Sequence, residues 1–326
     1  MWYNSTVDKT VDLYPNFSHC RIVEKTYKGL GGVKVCILYN GEEYMLKFPK
    51  KVIRKNENEA LYTNSPLGEY LGSHIYEILG FNTHKTILGT YNGKVVVACK
   101  DFTLDGSCLI DFQEIVNSNL NNIDKGLSKD FSVNTDLDFI KDNILNHSGF
   151  GYIKKELITH FYDMFVVDYL IDNGDRNNGN WGLLKKGNEN CTIAPVFDCG
   201  NSFRFLWNDN KYLSFVKDNK QIEWAIKTKT NCFLQNGEKV CPLSLIEKRT
   251  NPFLNEAVKR ITPLYNKNKK KIHDFILSLP HSINGTPVIT DSRKTCILKF
   301  LEMREEKLNE VYNALIVKNK STEWTI

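Results

Sequence analysis

The stretch Asp172-Asn173-Gly174-Asp175-Arg176-Asn177-Asn178-Gly179-Asn180-Trp181-Gly182 decides how this chain is read. It follows the apolar run Leu157 to Ile171, whose pattern predicts a helix buried on most sides. Asn, Gly and Asp form turns readily, so that helix ends in a loop carrying Asp175 and Asn180. Farther on, the strand-like run Ala194-Pro195-Val196-Phe197 ends in Asp198-Cys199-Gly200. A phosphoryl-transfer site needs one carboxylate to orient the attacking hydroxyl and take its proton. It also needs an amide oxygen and a second carboxylate to hold the metal that bridges the phosphates. Asp175 suits the first role, and Asn180 and Asp198 suit the second. Both are hard oxygen donors of the kind Mg²⁺ prefers. Taken alone, Asp-x-x-x-x-Asn is also an ordinary loop pattern, so the reading needs a nucleotide-binding half elsewhere.

The first hundred residues supply it. Val33 to Tyr39 and Tyr44 to Phe48 flank Asn40-Gly41, and Thr86 to Tyr91 and Lys94 to Cys99 flank Asn92-Gly93. Each set predicts a β-hairpin. Between them, Leu67, Leu71, Ile75 and Leu79 form one helical stripe that Gly80 stops. Ahead of the first hairpin, Lys28-Gly29-Leu30-Gly31-Gly32-Val33-Lys34 is a loop whose Gly29, Gly31 and Gly32 let backbone N–H groups approach phosphates, with Lys34 beside them. Lys47 sits in the second strand between Leu46 and Phe48. There it either points to solvent by alternation or is held inward by a partner. Glu69 and Glu77 on the following helix are the available partners, and Glu69, in its first turns, is preferred. Val95 to Phe102 reads as the last strand and the connection onward. The backbone of Lys100, Asp101 and Phe102 is placed to meet an adenine edge.

After residue 103 the pattern turns helical, with Asn255 to Tyr265, Lys269 to Leu279 and Arg293 to Val317 as further helices. The expected organisation is α+β and bilobal: residues 1–103 form a small β-rich nucleotide-binding lobe and 104–326 a larger helical catalytic lobe. The 326 residues are 41% hydrophobic and 12% aromatic, which excludes global disorder. A net charge of +5 suits a phosphate ester without demanding nucleic acid, and none is expected as a partner. The richest apolar run, Met164 to Ile171, is broken by Asp168, so no membrane span is expected. The start, Met1-Trp2-Tyr3-Asn4-Ser5, has neither a basic nor an apolar leader region, so a cytoplasmic location is expected. The nine cysteines are scattered without a Cys-x-x-Cys pair, and they are read as reduced thiols.

The order glycine loop, strand lysine, helix glutamate, linker, Asp-x-x-x-x-Asn and Asp-x-Gly resembles the protein-kinase-like superfamily. The loop has no His-Arg-Asp, Cys199 stands where Phe usually precedes the glycine, and there is no Ala-Pro-Glu. The wording Asp168-Tyr169-Leu170-Ile171-Asp172-Asn173-Gly174-Asp175-Arg176, with Tyr44-Met45-Leu46-Lys47-Phe48-Pro49 and Gly68-Glu69-Tyr70-Leu71, is similar to the HipA-like serine/threonine kinases. The likeness spans roughly residues 28 to 315. It implies a kinase that uses ATP and Mg²⁺ to phosphorylate Ser or Thr hydroxyls on a protein substrate, its own included. Carried onto this chain, the likeness makes Asp175 the base and Asn180 and Asp198 the metal ligands. Lys47 becomes the phosphate contact, Glu69 its orienting partner, and Gly29 to Lys34 the phosphate loop. It also implies delivery into host cells by an unconventional route as a second possible destination. Asn177 stands where many relatives carry histidine, and the phosphate loop has no serine to autophosphorylate. Toxin members of the family act beside a DNA-binding antitoxin, for which this chain has no signature.

Two other readings compete: a small-molecule kinase of the aminoglycoside or lipid type, and a non-catalytic module on the same fold. Arg176 is expected to pair with Asp172 rather than clamp a phosphate, and Trp181 to anchor packing. The basic run Asn266 to Lys271 is read as a solvated helix start. The segment 203–222, with Phe205, Trp207, Tyr212 and Phe215, is read as an activation or docking loop whose aromatics tuck against the lobe.

Overall fold

The computed structural model describes residues 13–27, 33–118, 134–229 and 231–322. Its first sheet is five-stranded and antiparallel, in the order β1-β2-β3-β5-β4. The strands are β1 (Arg21–Val23), β2 (Lys34–Tyr39), β3 (Glu42–Lys47), β4 (Thr86–Tyr91) and β5 (Lys94–Lys100). Both expected hairpins form. At each tip the Asn and the Gly take positive φ, 51° and 82° at Asn40-Gly41 and 46° and 72° at Asn92-Gly93. That is the twist a two-residue hairpin turn requires. The first turn sets a register that places Lys34 opposite Lys47. One sheet face closes over Phe17, Ile37, Tyr44, Leu46, Val96 and Ala98. The other face contributes Leu88, Val97 and Cys99 to the main core, where α1 (Ser65–Ile78) covers it. Leu67, Leu71 and Ile75 of α1 are buried, as the stripe predicts.

The chain leaves this sheet at Lys100 and enters a second one at β6 (Ser107–Asp111). There β6 pairs with β7 (Gly182–Lys186), which pairs with β8 (Thr192–Ile193). Gly182 is needed for that pairing, because a Cβ there would lie 2.2 Å from the Ile110 carbonyl oxygen. Among the described residues the remaining α-helices are α2 (Phe112–Ser118), α3 (Leu137–Asn146), α4 (Lys154–Ile171), α5 (Asp209–Val216), α6 (Asn219–Ile226), α7 (Pro242–Lys248), α8 (Pro252–Ser278) and α9 (Asp291–Thr322). The result is the α+β arrangement expected, with a β-rich beginning and a helical remainder. Helix α4 is buried nearly all round, and it stops where Asp172 turns left-handed at φ 56°.

Two expected helices prove to be one. The pattern around residue 266 suggests a break, yet α8 runs through Pro263 and Asn268 without interruption. Its buried line Val258, Ile261, Tyr265, Ile272 and Ile276 stays in the core across the gap, and this burial outweighs the hydrogen bond a mid-helix proline removes. The basic run therefore lies inside a helix, not at its start. Lys269 pairs with Glu305 at 2.6 Å and Lys270 with Asp274. Helix α8 also braces α1, for its Phe275 stacks on His74 with ring centroids 5.1 Å apart. Among the described residues no helix is long and apolar enough to cross a membrane. All nine cysteines are free thiols.

Candidate active site

Three residues far apart in sequence meet at one ammonium. Lys47 Nζ donates to Glu69 Oε2 at 2.9 Å and to Asp198 Oδ1 at 2.9 Å, joining positions 22 and 151 residues apart. The lysine of β3 thus points inward, toward helix α1 and the strand-like run that ends in Asp198. Burial would lower the Lys47 pKa, but the Asp198 and Glu69 carboxylates more than offset it and hold the ammonium charged. Glu69 is wholly buried. Burial would raise its pKa, yet Lys47 and then His84 keep it well below the carboxylate range. Between the two candidate partners the structure selects Glu69, since Glu77 pairs with Lys85 at the surface.

Glu69 is held on more sides than the sequence suggests. His84 Nε2 lies 2.9 Å from its Oε1 and 3.1 Å from Ser73 Oγ, and the backbone N–H of Cys199 donates to Oε1 at 3.2 Å. The backbone N–H of His84 donates to the Val196 carbonyl at 3.1 Å, and the backbone N–H of Val196 donates to the Asn82 carbonyl at 2.8 Å. One short segment therefore clips the extended run leading to Asp198 to the helix carrying Glu69. Helix α1 comes close enough because of two glycines. A Cβ at Gly68 would sit 2.9 Å from the Gly200 carbonyl oxygen, and one at Gly72 only 2.5 Å from Cys199 Cβ. His84 carries no sequence signal of its own, while Gly68 and Gly72, one helical turn apart, are the signal for the close approach.

On the facing side, Asp175 Oδ1 accepts from Asn177 Nδ2 and its Oδ2 from Asn201 Nδ2, each at 2.8 Å. Burial pushes its pKa up and the nearby Asp198 charge adds to this, against the pull of the Asn177 amide. Asn180 donates its Nδ2 to the Asp175 carbonyl at 2.6 Å, which turns its Oδ1 the other way as an acceptor. Asp198 sits in a left-handed conformation, φ 58°, with its side chain 38% exposed. A partly open carboxylate and a pinned amide oxygen form a donor set that fits Mg²⁺. Lys34, across the hairpin from Lys47, faces the same place. Burial, and then the Lys47 charge, lower its pKa.

Beneath the loop, Arg176 is fully buried. Its Nε donates to Asp168 Oδ2 at 2.8 Å and its Nη2 to Asp168 Oδ1 at 3.1 Å. Its Nη1 reaches the carbonyls of Asn180, at 2.8 Å, and Phe197. The expected structural role holds with a different partner: Asp168, not Asp172, which pairs with Arg204 and, at 2.6 Å, with Arg304. Tyr76 of α1 donates to Asp168 Oδ1 at 2.9 Å, so the same helix reaches this pair too. Trp181 is the packing anchor expected, stacked 4.2 Å from Phe112.

Other expected residues stand differently. Gly29, Gly31 and Gly32 lie outside the described residues. Lys100 pairs with Glu42 at 2.6 Å and Asp101 with Lys25 at 2.7 Å. The N–H groups of Lys100 and Asp101 donate to the carbonyls of Lys85 and Glu43. The linker's carbonyls and the Phe102 backbone are then what remains for an adenine edge. The segment after Asp198 is largely helical, and its aromatics do tuck in, with Trp207 4.4 Å from Phe215. Among the described residues, Glu69, His84 and Cys99 form a buried metal-capable group. Glu69 is already bonded to Lys47, and burial pushes the Cys99 thiol up, so this group acts as structure.

No family model matches the chain. It is 34% identical over 301 residues to the serine/threonine-protein kinase CtkA of Helicobacter pylori strain J99, covering 91% of this chain and 86% of the relative. Its fold is similar to the crystal structure of a Helicobacter pylori proinflammatory kinase CtkA, with TM-score 0.81 and 30% identity over 93% of this chain and 98% of that one. A looser likeness, TM-score 0.49 at 14% identity, covers 88% of this chain and 67% of a Shewanella oneidensis chain from a HipA, HipB and operator DNA complex.

Proposed function

The chain belongs to the HipA-like serine/threonine kinases, alongside CtkA, and we propose that Asp175, Lys47, Glu69, Asn180 and Asp198 carry its phosphoryl transfer. Serine/threonine kinase activity and the use of ATP go with the family. The observation that carries the reading is the Lys47 ammonium, 2.9 Å from both Glu69 and Asp198, with Asp175 near enough to feel the Asp198 charge and to hold the Asn180 amide on its carbonyl. A buried charge gathered from three distant segments is costly unless it is paired, and the open side of this pairing is where a phosphate would add to it.

In this reading Asp175 accepts the proton of the acceptor hydroxyl, and Asn177 and Asn201 aim its two oxygens. Neutral amide donors hold the carboxylate in place without adding a positive charge to oppose protonation. Lys47, with Lys34 beside it, binds phosphate oxygens, and Glu69 keeps Lys47 in position. Gly29, Gly31 and Gly32, in the glycine-rich run ahead of Lys34, are the candidates to offer backbone N–H groups to the phosphates. Asn180 Oδ1 and Asp198 would hold Mg²⁺, which when bound offsets charge on the bridging phosphate oxygens. The backbone at Lys100 to Phe102 receives the base. The substrate is a Ser or Thr side chain of a protein, this chain included.

Incubation with γ-labelled ATP and Mg²⁺ tests the reading. Label is expected on Ser or Thr of the chain itself or of an added protein. Asp175→Ala is expected to abolish transfer while nucleotide binding persists. Asp198→Asn is expected to raise the Mg²⁺ concentration required. Unchanged transfer by Asp175→Ala would remove Asp175 from the mechanism.

A further inference from the structure

A cavity of about 270 Å³ opens directly beside Asp175. Asp175, Asn201, Arg204, Phe205, Leu206 and Trp207 are among the residues that line it. It is far larger than the roughly 30 Å³ that one water occupies, so a branched or aromatic side chain fits.

Apart from Asp175, whose carboxylate is left for the acceptor hydroxyl, the charges on its wall are already committed. Asp172, at one edge, is paired with Arg204 and with Arg304. The Arg204 guanidinium also donates to the Ala225 carbonyl at 2.9 Å and lies over the Trp207 ring, 5.4 Å from its centroid. Neither group is open to a charged visitor, and Phe205, Leu206 and Trp207 add hydrocarbon and ring to the lining. The wall is also held in place from outside. The Asn64 N–H donates to the Phe205 carbonyl at 2.7 Å, and the Ala60 N–H to the Leu206 carbonyl at 2.8 Å.

Consecutive Cα atoms lie 3.8 Å apart, so a peptide whose hydroxyl meets Asp175 has its neighbouring residues over this opening. We propose that the cavity receives an uncharged, bulky apolar side chain of the protein substrate, within two positions of the acceptor Ser or Thr. The inference rests on reading Asp175 as the base of a protein kinase, and it adds the sequence context of the acceptor.

The test uses the full chain, Mg-ATP and peptides carrying one Ser. The two residues on either side of the Ser are replaced in turn by Leu, Phe, Glu, Lys or Gly. At one position kcat/KM is expected to favour Leu and Phe over Glu, Lys and Gly by at least about tenfold. Leu206→Arg is expected to abolish that ratio or invert it in favour of Glu. Phe205→Ala, which enlarges the cavity without adding charge, is expected to move the preference from Leu toward Phe. The ratio is read within each protein, so a change in overall rate does not affect it. Transfer with no flanking preference, or with a preference for a charged flank, would overturn the proposal. So would a ratio that neither variant moves. Absence of transfer to every peptide and to the chain itself would instead overturn the reading of Asp175 on which the proposal stands.

Discussion

Asp168 and Asp175 lie seven positions apart and are treated in opposite ways. Asp168, under the loop, is 4% exposed and is gripped by the Arg176 guanidinium, the Tyr76 hydroxyl and the Asn173 amide. Asp175, at the mouth, is held by two carboxamides and no cation. The difference teaches where this fold puts permanent charge. Burial would discharge Arg176, yet Asp168 holds it well above the ordinary guanidinium range, a pairing that serves architecture. At the mouth a proton must come and go, so the hydrogen-bonding partners are neutral, and burial pushes the Asp175 pKa up against the weaker pull of the Asn177 amide and the more distant Arg176 charge.

Several substitutions would break or sharpen this contrast. The largest effect is expected from Asp175→Asn. Loss of a general base lowers kcat by about 10²–10⁴-fold, read by single-turnover phosphate transfer. The same change should hold or raise the melting temperature. Because the folded pKa of Asp175 lies above its unfolded value, this group favours the fold below about pH 3.9 and loses that contribution as pH rises through the folded value. A neutral isostere at pH 7 removes the burial penalty, provided that the Asn201 amide turns over to accept from the new NH2. By the same sign, the acid limb of kcat/KM in the unaltered chain should lie above the ordinary aspartate range.

Arg176→Met is expected to act on stability instead. It leaves Asp168 buried without its cation and should cost roughly 3–5 kcal/mol, seen as a lower denaturant midpoint. Equal melting of this variant and the unaltered chain would show that the buried pair is dispensable. Gly72→Ala should follow at about 1–3 kcal/mol, since its Cβ would meet Cys199 Cβ at 2.5 Å and push α1 away from the segment carrying Asp198. Transfer rate should fall further than stability, because Glu69 rides on the same helix. The smallest effect is expected from His84→Ala, about tenfold in kcat/KM through a less fixed Glu69. His84→Gln, which can still donate to Glu69, should recover part of it. Loss of melting temperature with unchanged kinetics would make His84 purely structural.

Local pattern made much of this legible. Both hairpins, the stripe of α1 and buried α4 follow from short-range periodicity and turn chemistry, and Asp175, Asn180 and Asp198 fall on the loops that result. The two helices expected around residue 266 are a single α8 because its apolar line is completed by distant partners, which no window of sequence displays. His84 and Asn201 escaped notice for the same reason: each is an ordinary polar residue until a partner 15 or 26 positions away is folded against it.

By itself the sequence determined which chemical groups exist, their order along the chain, and the strands, turns and helices that carry them. Only the tertiary structure decided which glutamate Lys47 meets, which aspartate Arg176 grips, and that Asn177 and Asn201 share the two oxygens of Asp175. Periodicity is a property of neighbours in the chain, whereas the partner of a buried charge depends on desolvation and distance between segments that meet only once the core has closed.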